Sequence, residues 1–178
     1  VRKMAELSPG ESGLIALDWW NGNRSVLVDA DLSGLIIGMN LQTRVEDIMR
    51  ALIEATAFGT RVIIENFRAH GIDVNYFYAA GGIARKDPFT MQLYSDVLQL
   101  PIRIAGSSLM PCLGTAILAA VALGPTPAAM QRYMTQAWRC AASATRCTLP
   151  TPRQALCMTG FMPNISRFTT ISAEAAAM

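Results

Sequence analysis

The sequence predicts an α/β domain in which a parallel sheet is flanked by helices. Three observations carry this: a long capped helical stretch over residues 43–70, a strand that runs through Gly81-Gly82 into a helix starting at Pro88, and a second strand at residues 101–105 followed by another helix. The order αβαβα, with short connections, is that of parallel strands joined by crossover helices.

At the amino end, residues 14–20 and 25–30 are apolar-rich stretches flanking Asn21-Gly22-Asn23-Arg24. Asn-Gly between such runs predicts a β-hairpin. Trp19 and Trp20 adjoin the turn, and two readings stay open for them: a partly exposed aromatic for a ligand or domain contact, or a pair covering a core edge. The Asp, Ser and Gly of residues 29–34 mark a loop leading into the apolar run Leu35-Ile36-Ile37.

Thr43-Arg44-Val45-Glu46 has the pattern of a capping box, with the Thr43 hydroxyl accepting from the N3 amide and Glu46 reaching back. Apolar or small residues at Val45, Ile48, Leu52, Ala55, Gly59 and Val62 then keep a helical period, and Gly71 supplies the stop after His70. About 26 residues at 1.5 Å each make a rod of roughly 39 Å. The small residues Ala55, Thr56, Ala57 and Gly59 let another backbone pack close, as a core feature first and a ligand-side feature second.

Residues 76–80 run into Gly81-Gly82, and Asp87 and Pro88 then supply an N-cap and an N1 proline. Loop N–H groups and the positive end of the following helix suit a bound anion, so this junction fits part of a nucleotide. A purely structural turn from strand to helix has the same local pattern. Phe89, Leu93 and Val97 mark the buried stripe of a helix from 88 to about 99, residues 101–105 form a short strand, and residues 111–123 form a helix ended by Gly124.

The chain has 178 residues, 52% of them hydrophobic and 16% charged, which suits one domain with a real core or a piece of a larger protein. The net charge of +2, with no basic run interleaved with aromatics, argues against a nucleic-acid partner. No apolar run reaches the ~18 residues that span a bilayer, and no signal-peptide pattern occurs. Four cysteines without a CxxC pair, and His70 as the sole histidine at a helix end, offer no metal site. A reduced, cytoplasmic protein is the expectation.

Charge is distributed unevenly. Through Val97 there are 9 basic and 12 acidic residues, whereas beyond it six arginines face Glu174 alone. The tail, residues 125–178, holds three of the four cysteines and five of the nine prolines. No element is expected there, and the composition reads as a shifted reading frame, a poorly assembled gene or a disordered end. The chain also opens on Val1-Arg2-Lys3 ahead of Met4, so the natural start is expected to be missing.

Five segments occur in the order and spacing of one family. GLIALDWWNGNRS, DADLSGLIIGMNL, ALIEATAFGTRVIIE, YAAGGIARKDPFTMQLYSDVLQLPI and CLGTAILAAVALG resemble the carboxy-terminal domain of the FGGY carbohydrate kinases over residues 10–124. The first is most similar to the ribulokinase branch. In the third, Glu54, Ala57, Phe58 and Arg61 fall in register. The resemblance implies an actin-like, ribonuclease-H-like ATPase fold over residues 1–124, with ATP and Mg²⁺ as cosubstrate. It also implies transfer of the γ-phosphoryl group to L-ribulose, in arabinose catabolism. It places Gly81, Gly82 and Ile83 against the adenine and ribose, with Lys86 and Asp87 close by.

Three departures stand out. Ile83 replaces a third glycine common in sister kinases, Leu109-Met110-Pro111-Cys112 is less polar than the family's segment, and the tail beyond Gly124 does not resemble the family's ending. The family's amino-terminal domain, with its sugar pocket, aspartate base and phosphate-binding hairpin, has no counterpart in the chain. No catalytic residue and no metal ligand is therefore assigned. The expected function is the ATP-binding half of a ribulokinase-like kinase, inactive as it stands, taking up its sugar only with the other domain and open to homodimerisation when complete. The alternative is a non-catalytic fragment or pseudokinase module acting as a binding domain.

Overall fold

The long helix, α1 (Val45–Ala69), organises the fold. In the computed structural model, residue 4, residues 6–8, 10–106 and 109–122, residues 132 and 135, and residues 146–151 are described. The N-cap of α1 is Arg44 rather than Thr43, so the cap falls one residue later than expected. The Thr43 hydroxyl is engaged in the preceding turn, where it accepts from the Asn40 amide at 2.8 Å. Asp47, at N3, instead accepts from the Arg44 amide at 2.9 Å. At the other end Gly71 adopts φ +78°. Its N–H donates to the Arg68 carbonyl and that of Ile72 to the Phe67 carbonyl, each at 3.0 Å, which closes the helix as a Schellman motif.

The expected hairpin does not form. Strand β1 (Ile15–Leu17) pairs antiparallel with β2 (Leu35–Ile37), Ala16 lying opposite Ile36. Residues 25–30 cannot extend because the Asn23 side chain organises them into a loop: its Oδ1 accepts from the Val26 and Leu27 amides at 3.1 and 3.3 Å. Asn23 and Asp29 then exchange two backbone hydrogen bonds across the neck, and Val28 takes φ +54°, outside the strand region. Leu35-Ile36-Ile37, with two β-branched residues, supplies the partner strand instead.

Strands β3 (Phe77–Ala79) and β4 (Ile102–Ile104) are parallel, as the αβαβα order requires. Between them lie a short helix, α2 (Gly82–Lys86), where a plain loop is expected, and α3 (Pro88–Leu98). The cap of α3 is as expected: Asp87 accepts from the Thr90 amide at 3.3 Å and from its hydroxyl at 2.6 Å. Helix α4 (Met110–Ala122) follows.

The tail departs from the expectation that it holds no element. Strand β5 (Arg146–Thr148) pairs antiparallel with β4. Side chains of α3 hold it in place: Ser95 Oγ donates to the Thr148 carbonyl at 3.2 Å, and Gln92 Nε2 to the Leu149 carbonyl at 2.8 Å. These long-range bonds order a segment too short to declare itself locally. The remainder of the tail, and with it the expectation of disorder, lies outside the described residues.

One core forms where α1, β1 and α3 meet, through Leu17, Trp19, Ala57, Phe58, Leu93 and Val97. A second lies under β3 and β4, through Ile64, Ala79, Met91, Leu98 and Ile102. Of the two tryptophans beside Asn21-Gly22, Trp19 is buried while Trp20 is exposed and lays its ring against Gly34, where any Cβ would collide with it. Polar bonds lock α1 to α3, since Arg61 Nη1 donates to the Val97 carbonyl at 2.9 Å and Tyr94 Oη to Thr56 Oγ1 at 2.9 Å.

Candidate functional site

A cleft of about 920 Å³ opens where the end of β3, the short helix α2, the first turns of α3 and the middle of α1 come together. That volume lies within the range of small-molecule sites. Gly82, Ile83, Lys86 and Asp87 line it. Gly81 is the residue before, the N-cap of α2, at φ +100° and ψ −175°. That conformation favours glycine. A Cβ built on either Gly81 or Gly82 would meet nothing within 4 Å, so bare backbone faces open space at this turn.

The walls are apolar and aromatic: Phe77, Tyr78, Met91, Tyr94 and Ile102. Ile83 is 69% exposed, an apolar side chain held at the rim rather than in the core. The positive end of α3 is already met by its own Asp87 carboxylate, bound twice by Thr90. An anion is therefore repelled there. What remains for a ligand's polar groups is the first turn of α2, whose N–H groups have no partner within the helix, and the exposed Lys86 beside it.

Thr56, Ile53, Thr90 and Tyr94 also line the cleft and were not singled out by motif as site residues. The small-residue stretch of α1 was the available signal for Thr56. Tyr94 carries no local signal, because its role depends on α3 crossing α1. An adenosine-sized ligand fits the bare Gly81-Gly82 turn and the flat apolar walls. Mg²⁺ does not fit these residues: among the described residues Asp87 is the one carboxylate lining the cleft, it is engaged by Thr90, and no group of three His, Cys, Asp or Glu side chains could hold a metal ion.

A parallel β3–α3–β4 unit with a glycine turn at the cleft, leaning on a long helix, makes this an α/β domain, and the family that its sequence matches gives it the actin-like ATPase fold. The chain belongs to the FGGY family of carbohydrate kinases, and residues 2–123 match the family's C-terminal domain. It is 59% identical over 123 residues to a ribulokinase of Bacillus licheniformis, an overlap of 69% of this chain and 22% of that protein. With a ribulokinase of Mycolicibacterium smegmatis it shares 52% over 120 residues, 67% of this chain and 21% of that one. The chain thus spans about a fifth of the length of these relatives.

Solved structures agree on the fold. A ligand-bound xylulose kinase from Lactobacillus acidophilus superposes with a TM-score of 0.77 at 23% identity, covering 97% of this chain and 34% of that one. A Plasmodium falciparum glycerol kinase solved with ADP gives 0.66 at 20% identity, over 93% and 32%.

Proposed function

We propose that this chain is the nucleotide-side part of a ribulokinase-like kinase, and that the cleft beside Gly81-Gly82 seats the adenosine of ATP. The observation that carries the reading is the bare backbone of that turn, set between aromatic walls and an exposed lysine. In this reading Gly81, Gly82 and Ile83 lie along the base and ribose, Tyr78 and Tyr94 bound the seat, and Lys86 and Asp87 stand at its edge. Relatives named ribulokinase at 47–59% identity support L-ribulose as the acceptor of the complete enzyme, with L-ribulose 5-phosphate as product. Bound ATP would supply the γ-phosphoryl group. A cytoplasmic setting, a role in arabinose catabolism and a homodimer of the complete enzyme belong to the same proposal.

Positioning and electrostatics dominate phosphoryl transfer, and the chain brings part of each. It supplies an apolar seat, backbone donors and one lysine. A general base, a metal site and a sugar pocket belong to the other lobe, so the chain alone is expected to be inactive. Gly82→Val tests the seat: the Cβ meets no protein atom, so the fold is kept while the space left by the backbone is filled. Calorimetry with a non-hydrolysable ATP analogue should show weak binding to the natural chain and none to the variant. Equal affinity in the two would refute the site. A coupled assay with ATP, Mg²⁺ and L-ribulose should stay at background for the chain alone and rise on co-expression with a ribulokinase amino-terminal half.

A further inference from the structure

The long helix α1 buries an ion pair outside the cleft. Arg50 and Glu54, one turn apart, are 4% and 5% exposed, and Arg50 Nε donates to Glu54 Oε1 at 2.5 Å. Charges are buried in this way only where several partners compensate them. Burial pushes the Glu54 carboxyl upward, and Arg50 and the Gly10 amide draw it part of the way back. Arg50 Nη1 donates to the Met4 carbonyl at 3.2 Å. The guanidinium also lies over the Phe89 ring, 5.0 Å from its centroid.

Three parts of the chain therefore meet on one planar cation and its carboxylate: the amino-terminal segment through Met4 and Gly10, the helix α1, and the first turn of α3 through Phe89. Phe89 stands between Asp87 on one side and Thr90 and Met91 on the other, and those three residues line the cleft. The backbone of that turn is loosely tied. The Thr90 amide reaches Asp87 Oδ1 at 3.3 Å and the Met91 amide reaches the Asp87 carbonyl at 3.3 Å, both at the long end for such bonds. The Phe89 side chain thus has much of the placing of the turn to do.

We propose that Arg50 is a positioning residue of the nucleotide cleft: clamped by Glu54 and by the Met4 carbonyl, its guanidinium plane seats Phe89 and so holds Asp87, Thr90 and Met91 at the cleft wall. This rests on the nucleotide reading of the cleft. An ammonium would satisfy Glu54, but only a planar fork can bond two acceptors and lie flat on a ring at once.

The test is amide exchange on the full chain, together with calorimetry using a non-hydrolysable ATP analogue. In Arg50→Lys the ammonium still pairs with Glu54 but cannot also cover the ring. Exchange should quicken at the Asp87, Thr90 and Met91 amides while β4 stays protected, and the analogue should bind about threefold or more weakly. Phe89→Leu keeps an apolar side chain and removes the ring. It should have the same effect at those amides, leave residues 4–10 unchanged, and carry the test if Arg50→Lys folds poorly. The double variant should be no worse than Arg50→Lys alone, because both changes remove one contact. Additive effects, unchanged exchange at the three amides in Arg50→Lys, or an equal loss of protection in β4 would each overturn the proposal. A natural chain that binds no analogue would refute the nucleotide reading, and exchange at the three amides would still decide whether Arg50 holds the turn.

Discussion

Replacing Gly59 by alanine sets two effects of known size against each other. Glycine within a helix costs about 0.5–1 kcal/mol relative to alanine, so on propensity alone the change stabilises α1. Against it stands Asp18. The new Cβ would lie 2.7 Å from one carboxylate oxygen and 3.0 Å from the other, where ordinary contact begins at 3.4 Å, so the carboxylate must retreat by 3.4 − 2.7 = 0.7 Å. The displaced atoms are the tip of the Asp18 side chain, which borders open space, so the cost falls at the low end of overpacking, about 1 kcal/mol. In the natural chain the two effects therefore nearly cancel, to within about 0.5 kcal/mol. In an Asp18→Ala background the opposing term disappears, and Gly59→Ala should stabilise by about 0.5–1 kcal/mol. Urea unfolding of the four proteins, read by circular dichroism, measures the cycle. With m near 1–3 kcal/mol/M, the coupling appears as a midpoint that barely moves in one background and rises in the other. If Gly59→Ala shifts stability equally in both, to within about 0.5 kcal/mol, the two sites are not coupled and the contact reasoned from here does not exist.

Asp18 also makes a pH prediction. Because burial raises its folded-state pKa above 3.8, its contribution to stability is fully present below the unfolded value and is lost as pH rises through the folded one. The stability of the natural chain relative to Asp18→Asn should therefore decline from about pH 4 upward and then level off, and a relative gain over that window would contradict the assignment. Asp87→Ala should cost about 1–2 kcal/mol by stripping α3 of its cap. For a chain of this size that corresponds to a Tm lower by roughly 2–4 °C per kcal/mol in a thermal melt, and an unchanged Tm would show that Thr90 is satisfied another way. Gln92→Ala removes a donor to the Leu149 carbonyl and to Thr151 Oγ1, and should raise amide exchange over residues 146–151 while leaving α1 protected.

Elements with local punctuation were legible in the sequence, and those settled by distant partners were not. Gly71 after a long periodic stretch, and Asp87-Pro88 before another, fixed where helices stop and start because φ > 0 and N-capping are demands on single residues. The Asn21-Gly22 signal misled because the Asn23 side chain, two residues on, competes for the backbone amides that a hairpin would pair. Strand β5 was invisible because its order comes from β4 and from Ser95 and Gln92 on α3. Within the cleft, Gly82, Ile83, Lys86 and Asp87 sit together because they are contiguous. Thr56 and Tyr94 join them only through a helix crossing that no local pattern encodes.

Under the proposed function, the engagement of the carboxylates accounts for the expected inactivity of the chain alone. Asp87 is held by Thr90, Glu54 by Arg50 at 2.5 Å in the core, Glu65 by Arg61 at 2.8 Å, and Asp47 by Arg44 at 3.2 Å. Each of these acids fastens a helix end or a helix face, and among the described residues Asp87 is the one acid that borders the cleft. A carboxylate whose oxygens are committed to a cap or an ion pair has none free to take a proton from an incoming hydroxyl, so it serves poorly as a base. The lobe is thus specialised for rigidity around an apolar seat. Under the proposed function, proton transfer and metal binding therefore fall to residues of the complete kinase other than these.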